Sequence, residues 1–315
     1  MVTDMSGVSA ETGERIKTIA SYLGIYVIWG STYLAISISI RTLPIFFSSA
    51  VRFLTAGSIL IIYSLARKVD RPSKANLIIA VKSGFISFFI SYGLLMWAEQ
   101  ILPSSVAALI VSIEPAWFVL FDWIFFRGPR PNLKIAAGQV IGFAGCAVLM
   151  FGGGIPDSLR EVSEGRYVVS AIAVILSGFA WVYGVLLSSK SGDSHKDSAM
   201  ASGLQMFFGG IFFILASAAR WEFADVGGGT AESWIATLYL IIFGSIVAYS
   251  GYVYLLRREP ASRVTTHTFV NPVVAVALGW AIAGEEITGY TLLSAALVVV
   301  SVIIIIYSGA SGAKH

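Results

Sequence analysis

Residues 97–115 read W-A-E-Q-I-L-P-S-S-V-A-A-L-I-V-S-I-E-P, and residues 254–272 read Y-L-L-R-R-E-P-A-S-R-V-T-T-H-T-F-V-N-P. In both stretches a proline begins an apolar segment rich in small residues, and a second proline follows twelve residues later. One register aligns Pro103 with Pro260, Glu114 with Asn271, and Pro115 with Pro272. A repeat at one fixed offset indicates that one structural unit occurs twice. We therefore expect the two stretches to line a common cavity.

The composition indicates a chain that lies in a membrane. Of its 315 residues, 57% are hydrophobic and only 12% are charged, and apolar runs follow one another from Ile16 nearly to the C-terminus. A run of about 20 apolar residues is what a helix needs to cross the hydrocarbon core of a bilayer. The net charge of +3 does not indicate nucleic-acid binding, because the basic residues lie in short loops between the apolar runs. We therefore predict an all-α membrane protein.

Ten of these runs predict spanning helices, and no connection between them is long enough for a soluble domain. The predicted helices cover roughly residues 17–40, 44–66, 75–97, 104–126, 133–152, 167–189, 198–219, 233–256, 261–283 and 288–308. They divide the chain into a disordered cytoplasmic tail (1–16), a first five-helix unit (17–152), a connecting loop (153–166), a second five-helix unit (167–308) and a cytoplasmic tail (309–315).

Lys and Arg are distributed unevenly between alternate loops, which predicts the orientation of the chain. One set of loops contains Arg15 and Lys17; Arg67, Lys68, Arg71 and Lys74; Arg127, Arg130 and Lys134; Lys190 and Lys196; Arg257, Arg258 and Arg263; and Lys314. The intervening loops contain only Arg41, Arg160, Arg166 and Arg220. Because cytoplasmic loops are enriched in Lys and Arg, both termini are predicted to lie in the cytoplasm.

Five helices in each unit imply an inverted repeat. With an odd number of spans, the second unit must enter the membrane from the face opposite to the first. Such inverted-topology repeats are typical of secondary transporters, whose substrate sites lie near the midplane between the repeats. The predicted architecture is therefore a 5+5 inverted-topology repeat.

Several motifs are shared with a known family. They are I-W-G-S-T-Y (28–33), V-R-F (51–53), P-S-S-V-A-A-L-I-V-S-I-E-P (103–115), P-A-S-R-V and N-P-V-V-A-V (within 260–276), and G-E-E-I-T (284–288). On these residues the chain resembles the drug/metabolite transporter (DMT) superfamily, in the branch with two EamA domains, and within it the aromatic amino-acid exporters of the YddG type. The first half departs from the pattern, because R-G-P-R-P (127–131) replaces the Gly-Glu pair.

The resemblance implies an exporter of small metabolites in the inner (cytoplasmic) membrane that works by alternating access. The expected substrates are amino acids, including aromatic and neutral ones. The alternatives are a nucleotide-sugar or phosphorylated-metabolite carrier and a multidrug exporter, which the same superfamily contains. The expected partners are the substrate and membrane lipid, without nucleic acid, and the chain is compatible with a monomer.

The motifs of catalysis and metal binding are missing from the sequence. There is no H-E-x-x-H and no G-x-S-x-G. The three histidines are scattered, and Cys146 is the only cysteine. We therefore expect no enzymatic activity, no metal and no cofactor.

Ionisable residues inside the predicted helices are functional candidates, because burying them in a bilayer is costly. Arg52 and Glu114 lie at matching depths from the same face, which predicts an ion pair between them. The alternative roles of Glu114 are to satisfy backbone groups freed by Pro115, to bind a substrate ammonium, or to carry a coupling proton. His267 is a second candidate for a coupling proton; the competing interpretation is a hydrogen bond to a neighbouring helix.

Aromatic and small polar residues complete the predicted substrate site. Rings that carry an N–H or O–H suit a zwitterion with an apolar side chain, and they suit core packing equally well. Tyr92 and Tyr249 have the alternative role of gates toward opposite faces. We expect Pro115 and Pro272 to break their helices beside the cavity, with a kink used for packing as the competing interpretation. The predicted substrate-binding residues are Trp29, Ser31, Tyr33, Tyr92, Glu114, Trp117, Trp181, Tyr183, Tyr249, His267 and Asn271.

Overall fold

Helices form every regular element in the part of the chain that the structure describes. The computed structural model describes residues 5–128, 130–148, 163–192, 195–256, 258, 264 and 267–310. Within these ranges there is no β-strand, which confirms the predicted all-α fold. Most of the predicted loop 153–166, and Pro260 with the residues around it, lie outside the described residues.

The described helices are labelled α1 to α10 in chain order. They are α1 (Gly13–Ser39), α2 (Ile45–Ala66), α3 (Lys74–Ala98), α4 (Ser104–Phe125), α5 (Leu133–Ala147), α6 (Glu164–Lys190), α7 (Ser198–Ala219), α8 (Ala231–Leu256), α9 (His267–Ala283) and α10 (Gly289–Ala310). Seven of them, α1 to α4 and α6 to α8, are long and apolar enough to cross a membrane; the other three are apolar, and their described apolar parts are shorter.

Side-chain caps explain why several helices begin where the sequence predicts. A capping side chain accepts a hydrogen bond from an N–H of the first turn that has no partner within the helix. The capping residues are Ser73 for α3, Asn132 for α5, Ser163 for α6, Asp197 for α7 and Thr230 for α8. These residues stand at the polar edges of the apolar runs, so the runs and the caps mark the same boundaries.

The N-terminal tail differs from the prediction. Residues 1–16 are predicted to be disordered, but a helix begins at Met5 and leads into α1. Its Glu14 accepts a hydrogen bond from the Tyr254 hydroxyl at 2.9 Å and pairs with Arg258 at 3.5 Å. A polar composition is compatible with an exposed helix as well as with disorder, and these contacts with the end of α8 favour the helix.

Three segments within the helices are π-helical, with backbone hydrogen bonds from residue i to residue i+5. They are Gly24–Ile28 in α1, Gly84–Ile90 in α3 and Leu240–Ala248 in α8. The register that aligns Pro103 with Pro260 also superimposes the α3 segment on the α8 segment. Such segments are frequent at functional sites.

The two helix-internal prolines have different effects. α4 is interrupted at Ser112 and Ile113, and its second segment begins at Glu114 with Pro115 in the first turn. A proline is tolerated there because the first N–H groups of a helix have no partner within it. α9 continues through Pro272. The predicted break is therefore confirmed at Pro115 and wrong at Pro272, where only one hydrogen bond of the ladder is lost.

Glycines bring α2 and α7 into close contact. A Cβ added at Gly57 would lie 2.6 Å from the backbone nitrogen of Phe207, and one added at Gly203 would lie 3.0 Å from the carbonyl oxygen of Gly57. Small residues permit such approaches between helices in a bilayer, where van der Waals packing replaces the hydrophobic effect as the source of association.

The same turn follows α4 and α9. The Gly128 N–H donates to the Asp122 carbonyl at 2.7 Å, and the Glu285 N–H donates to the Gly279 carbonyl at 3.0 Å. In both turns the residue before the donor is left-handed: Arg127 at φ +57° and Gly284 at φ +69°. These turns occupy equivalent positions in the register that aligns Pro103 with Pro260.

Each of these turns encloses one carboxylate. In the first turn it belongs to Asp122, at the start of the turn, and in the second it belongs to Glu285, at the end of the turn. A Cβ on Gly279 would overlap the Glu285 carboxylate, and a Cβ on Gly128 would overlap the Asp122 carboxylate. The R-G-P-R-P motif has Gly128 where the second half has Glu285. The Asp122 carboxylate occupies the corresponding space in the first half.

Candidate functional site

A central cavity lies between α1, α3, α4, α6 and α9. It has a volume of about 70 Å³, which is room for several water molecules. The interruption of α4 faces it, as expected for irregular backbone at membrane depth. The cavity is lined by Trp29, Thr32, Tyr33, Ile36, Ser91, Tyr92, Leu95, Ala108, Val111, Ser112, Glu114, Ser177, Trp181, His267, Thr268, Asn271 and Pro272.

Seven of the eleven predicted site residues line this cavity. They are Trp29, Tyr33, Tyr92, Glu114, Trp181, His267 and Asn271. They come from five helices and from both proline-framed stretches, so the structure brings together residues that are more than 200 positions apart in the chain.

The other four predicted residues lie away from the cavity lining. The Ser31 hydroxyl donates to the Ile28 carbonyl and is 2.6 Å from the Tyr239 hydroxyl. Trp117 packs on Phe179 with ring centroids 4.1 Å apart. Tyr183 packs on the phenylalanines at the end of α4, namely Phe121, Phe125 and Phe126. Tyr249 lies behind the cavity wall, beside Trp29 and Trp181.

The wall between the cavity and α8 is aromatic. Trp29 and Trp181 meet edge to face with centroids 6.4 Å apart, and Trp181 meets Tyr92 at 6.0 Å. The Trp29 indole N–H donates to the Gly244 carbonyl in the π-helical segment of α8 at 3.1 Å. That bond satisfies the N–H of the half-buried indole and orients the ring that borders the cavity.

Tyr92 and Tyr249 do not lie toward opposite ends of the bundle. Both pack on Trp181, at 6.0 and 6.2 Å, and both pack on Phe88, at 6.0 and 5.7 Å. Because they share two ring neighbours, they belong to one aromatic cluster. The alternative of gates at opposite faces therefore does not fit their placement.

Glu114 presents a carboxylate to the cavity. It begins the second segment of α4, beyond the interruption, and it is half-buried among the lining residues. Among the residues that the structure describes, no donor lies within hydrogen-bond distance of its carboxylate oxygens. The alternative role in which Glu114 satisfies backbone groups freed by Pro115 is therefore not seen, and the carboxylate is left to interact with the contents of the cavity.

The predicted ion pair between Arg52 and Glu114 is wrong. Arg52 is buried, its Nε donates to the Ser245 hydroxyl at 2.9 Å, and its guanidinium lies over the rings of Phe53 and Tyr92 at 4.8 and 4.9 Å. Two residues at the same depth in the membrane need not lie close together. The Arg52 side chain instead contacts a hydroxyl of α8 and two ring faces, one on α2 and one on α3, which accept a cation.

His267 is bonded to the residue three positions before it rather than to a neighbouring helix. Its Nδ1 lies 2.9 Å from the Val264 carbonyl, and its ring meets Trp29 with centroids 5.3 Å apart. Since a carbonyl only accepts, Nδ1 carries the hydrogen, and Nε2 of a neutral ring is an acceptor.

Asn271 joins α9 to the π-helical segment of α1. With its amide nitrogen facing α1, it donates to the carbonyl oxygens of Ile25 and Tyr26, each at 3.0 Å. A π-helical segment displaces carbonyls from the regular ladder, and this amide satisfies two of them. The residue at the position of Glu114 in the second half thus holds two helices together.

Sequence reasoning missed the hydroxyl groups of the lining. Thr32 donates to the Trp29 carbonyl, Ser112 to that of Leu109, and Ser177 to that of Val174, at 2.6–2.8 Å. Each hydroxyl gives its hydrogen to its own helix, so its oxygen remains an acceptor. The signal was available in Thr32, which lies within the I-W-G-S-T-Y motif and one helical turn from Trp29.

A second missed residue is Glu99, a buried carboxylic acid in the connection between α3 and α4. It lies outside the predicted helices, where an acidic residue is ordinarily solvated. Its burial is therefore not visible in the sequence.

These observations define the class of the protein. A bundle of apolar helices surrounds a central cavity with an aromatic wall and several polar groups, and the described residues include no group of side chains suited to hold a metal. This is the architecture of a membrane transporter.

The family follows from comparison with known proteins. The model of the EamA-like transporter family matches residues 16–151 and 168–307. The chain therefore belongs to the EamA-like transporter family of the DMT superfamily. It is a multi-pass protein of the inner membrane that transports small molecules, and it is not an enzyme.

Two relatives illustrate the range of the family. The chain is 29% identical over 293 residues to the uncharacterized inner membrane transporter YedA of Escherichia coli (strain K12), covering 93% of this chain and 91% of the relative. It is 25% identical over 280 residues to a probable terminal-alkyne amino-acid exporter of Streptantibioticus cattleyicolor, covering 89% and 90%. A solved crystal structure with 19% identity has the same fold, with a TM-score of 0.64 over 92% of this chain and 96% of the other.

Proposed function

We propose that this protein exports amino acids, including neutral and aromatic ones, by alternating access through the central cavity. The scaffold is ten spanning helices in a 5+5 inverted repeat, with both termini in the cytoplasm. The observation that carries the proposal is the Glu114 carboxylate, which faces the cavity without a hydrogen-bond donor among the described residues.

The lining is rich in hydrogen-bond acceptors. The Glu114 carboxylate, the oxygens of Thr32, Ser112 and Ser177, and Nε2 of His267 all accept. An ammonium group offers three donors and no acceptor, so it matches such a lining. The α-ammonium of an amino acid is the ligand group that this chemistry favours.

The aromatic wall favours an apolar or aromatic side chain on the substrate. Trp29, Trp181 and Tyr92 border the cavity and have their ring edges and faces in mutual contact. Rings of this kind pack on other rings with a gain of about 0.5–1.5 kcal/mol beyond area burial. A zwitterion with an apolar or aromatic side chain therefore matches both parts of the cavity: its ammonium group meets the acceptors, and its side chain meets the aromatic wall.

The charge of the lining argues against phosphorylated substrates. No Lys or Arg is among the described lining residues, and Arg52 lies behind Tyr92 with its guanidinium directed to α8. Carriers of phosphate groups rely on such cations. A nucleotide-sugar or sugar-phosphate carrier is thus the weaker alternative.

Contacts between loops support the proposed topology. On the predicted outer side, Thr42 and Thr230 lie 3.3 Å apart. On the predicted inner side, Ser64 donates to Asp197 at 3.0 Å, and the His195 ring is 2.9 Å from the Asp70 carbonyl. Each contact joins a residue of one half to a residue of the other half. In each case the Lys and Arg distribution assigns both residues to the same face of the membrane.

A relative gives independent support for the substrate class. The Streptantibioticus cattleyicolor protein described above is named as a probable exporter of a terminal-alkyne amino acid, and its alignment spans about nine-tenths of both chains. A zwitterion with an apolar side chain is the kind of substrate that we infer here.

Transport by the purified protein in liposomes tests the proposal. We expect uptake of radiolabelled Phe, Trp and Thr and no exchange of a UDP-sugar. Glu114→Gln is expected to weaken half-saturation by about 10- to 100-fold, because a hydrogen bond to a charged group contributes about 1.5–3 kcal/mol. The matched control is Glu164→Gln, an exposed acidic residue in the first turn of α6.

Two results would contradict the proposal. One is robust UDP-sugar exchange without transport of any of the three amino acids. The other is unchanged half-saturation in Glu114→Gln, which would show that the cavity carboxylate does not bind the ammonium group.

A further inference from the structure

Glu99 is a buried acid that the proposed cavity does not use. It lies in the connection between α3 and α4, its side chain is only 5% exposed, and neither carboxylate oxygen has a hydrogen-bond partner in the described structure. An ionised carboxylate without partners is among the most unfavourable groups to bury. The geometry is therefore that of a neutral carboxylic acid.

The groups that face Glu99 come from three elements. Arg52 of α2, Glu285 of the turn before α10, and Tyr33 of α1 all interact with it electrostatically. Arg52 does not form an ion pair with it within 4.0 Å, and the Nη1 of this buried guanidinium is itself without a hydrogen-bond partner among the described residues.

Glu285 is held by three hydrogen bonds at the beginning of α4. Its Oε1 accepts from the Ser104 N–H at 2.8 Å and from the Ser104 hydroxyl at 2.6 Å, and its Oε2 accepts from the Ser105 N–H at 3.0 Å. These donors stand at the beginning of α4, where the positive end of the helix dipole favours a negative charge. The Glu285 carboxylate therefore disfavours a second negative charge at Glu99.

Burial and this repulsion act in the same direction. Glu99 lies between the spanning segments α3 and α4, and burial first and Glu285 second raise the pKa of its carboxyl well above the ordinary value, while Arg52 opposes them. A raised pKa in this closed arrangement falls again when the carboxyl meets water. Opening of this end of the bundle would thus release a proton.

We propose that Glu99 is a proton-binding site, separate from the central cavity, that links closure of this end of the bundle to the uptake of one proton. When the end opens, the carboxyl O–H bond breaks, its electron pair stays on the carboxylate, and the proton passes to water. When the end closes, the carboxylate takes a proton from that water and forms the O–H bond again. In the proposed topology this is the outer end, so closure depends on the pH outside.

Protonation itself is tested without any substrate. The infrared carbonyl absorption of a protonated carboxylic acid is measured in the purified protein at increasing pH. We expect a band that persists above the ordinary range of a glutamic acid, is lost in Glu99→Gln, and remains in Glu286→Gln, an exposed acid beside Glu285. A band of undiminished intensity in Glu99→Gln would overturn the proposal.

The link to transport rests on the proposed function and is measured separately in liposomes. In wild type we expect exchange of labelled for unlabelled Phe to slow as the outside pH rises, because closure then lacks its proton. In Glu99→Gln, whose amide is neutral at every pH, we expect this exchange to lose its dependence on outside pH. An unchanged dependence on outside pH in Glu99→Gln would refute the link between closure and the proton. If the wild type transports no amino acid, the proposed function fails, whereas the infrared result still decides whether Glu99 binds a proton.

Discussion

Glu114 and Asn271 occupy equivalent positions in the two proline-framed stretches, yet their side chains do different things. The carboxylate of Glu114 faces the cavity, whereas the amide of Asn271 satisfies two carbonyls of the π-helical segment in α1. An acid at position 271 would offer no donor to those carbonyls, and an amide at position 114 would carry no charge. The asymmetry of the site thus follows from what each helix packs against.

Asp197 is a residue whose contribution to stability depends on pH. It caps α7, accepting from the Met200 N–H at 2.8 Å and from the Ser64 hydroxyl at 3.0 Å. Burial raises the pKa of its carboxyl, but these two hydrogen bonds and the nearby charges of Arg67 and His195 together outweigh burial, and the pKa lies below the ordinary value. A depressed pKa means that the stabilisation is present above the unfolded pKa of about 3.9 and is lost as pH falls through the lower folded value.

We expect Asp197→Ala to lower the apparent melting temperature in detergent at neutral pH by about 1–4 °C, from the loss of a cap of about 0.5–2 kcal/mol. The difference from wild type should shrink as the pH falls below about 4. Asp197→Asn is the control, because asparagine caps without titrating. A difference between wild type and Asp197→Ala that does not change with pH would contradict this account.

At the scale of the helix, the two prolines show how neighbours decide the outcome of one signal. α4 divides before Pro115, and the gap places Ser112 and Glu114 on the cavity. α9 keeps its ladder through Pro272, and there Asn271 is bound to α1. The proline signal is the same in both halves, but the contacts of the preceding residue differ.

The close contact of α2 with α7 yields a second prediction. Gly57→Leu is expected to lower the apparent melting temperature, because even its Cβ would lie 2.6 Å from the Phe207 nitrogen. Overpacking of this kind costs about 1–3 kcal/mol. The control is Gly165→Ala in the first turn of α6, where an added Cβ meets nothing within 4 Å. Equal melting temperatures of Gly57→Leu and wild type would show that the two helices separate without loss of stability.

At the scale of the whole molecule, the two halves use the same local devices. The turns at Gly128 and Glu285, and the π-helical segments of α3 and α8, recur in one register. Contacts between the halves, such as that of Thr42 with Thr230, join loops assigned to the same face. These features support the proposed inverted repeat, whose two halves would exchange conformations between the inward and outward states.

Labelling of single cysteines in intact cells tests this topology. In a Cys146→Ala background, cysteines at the exposed positions Gln100 and Glu286 should react with a membrane-impermeant thiol reagent. Cysteines at the exposed positions Lys74 and Lys134 should react only after the membrane is opened. Cys146 is buried, so its replacement removes background without altering the surface. The reverse pattern would invert the proposed orientation.

The sequence by itself determined the helical class, the position of the apolar runs, the family and seven of the cavity residues, because these depend on local composition and on motifs. Only the tertiary structure decided that Arg52 turns to Ser245 instead of Glu114, that Trp117 and Tyr183 pack away from the cavity, and that Glu99 is buried. The physical reason is that depth along a helix is a property of the chain, whereas the direction and neighbours of a side chain depend on which helices pack together.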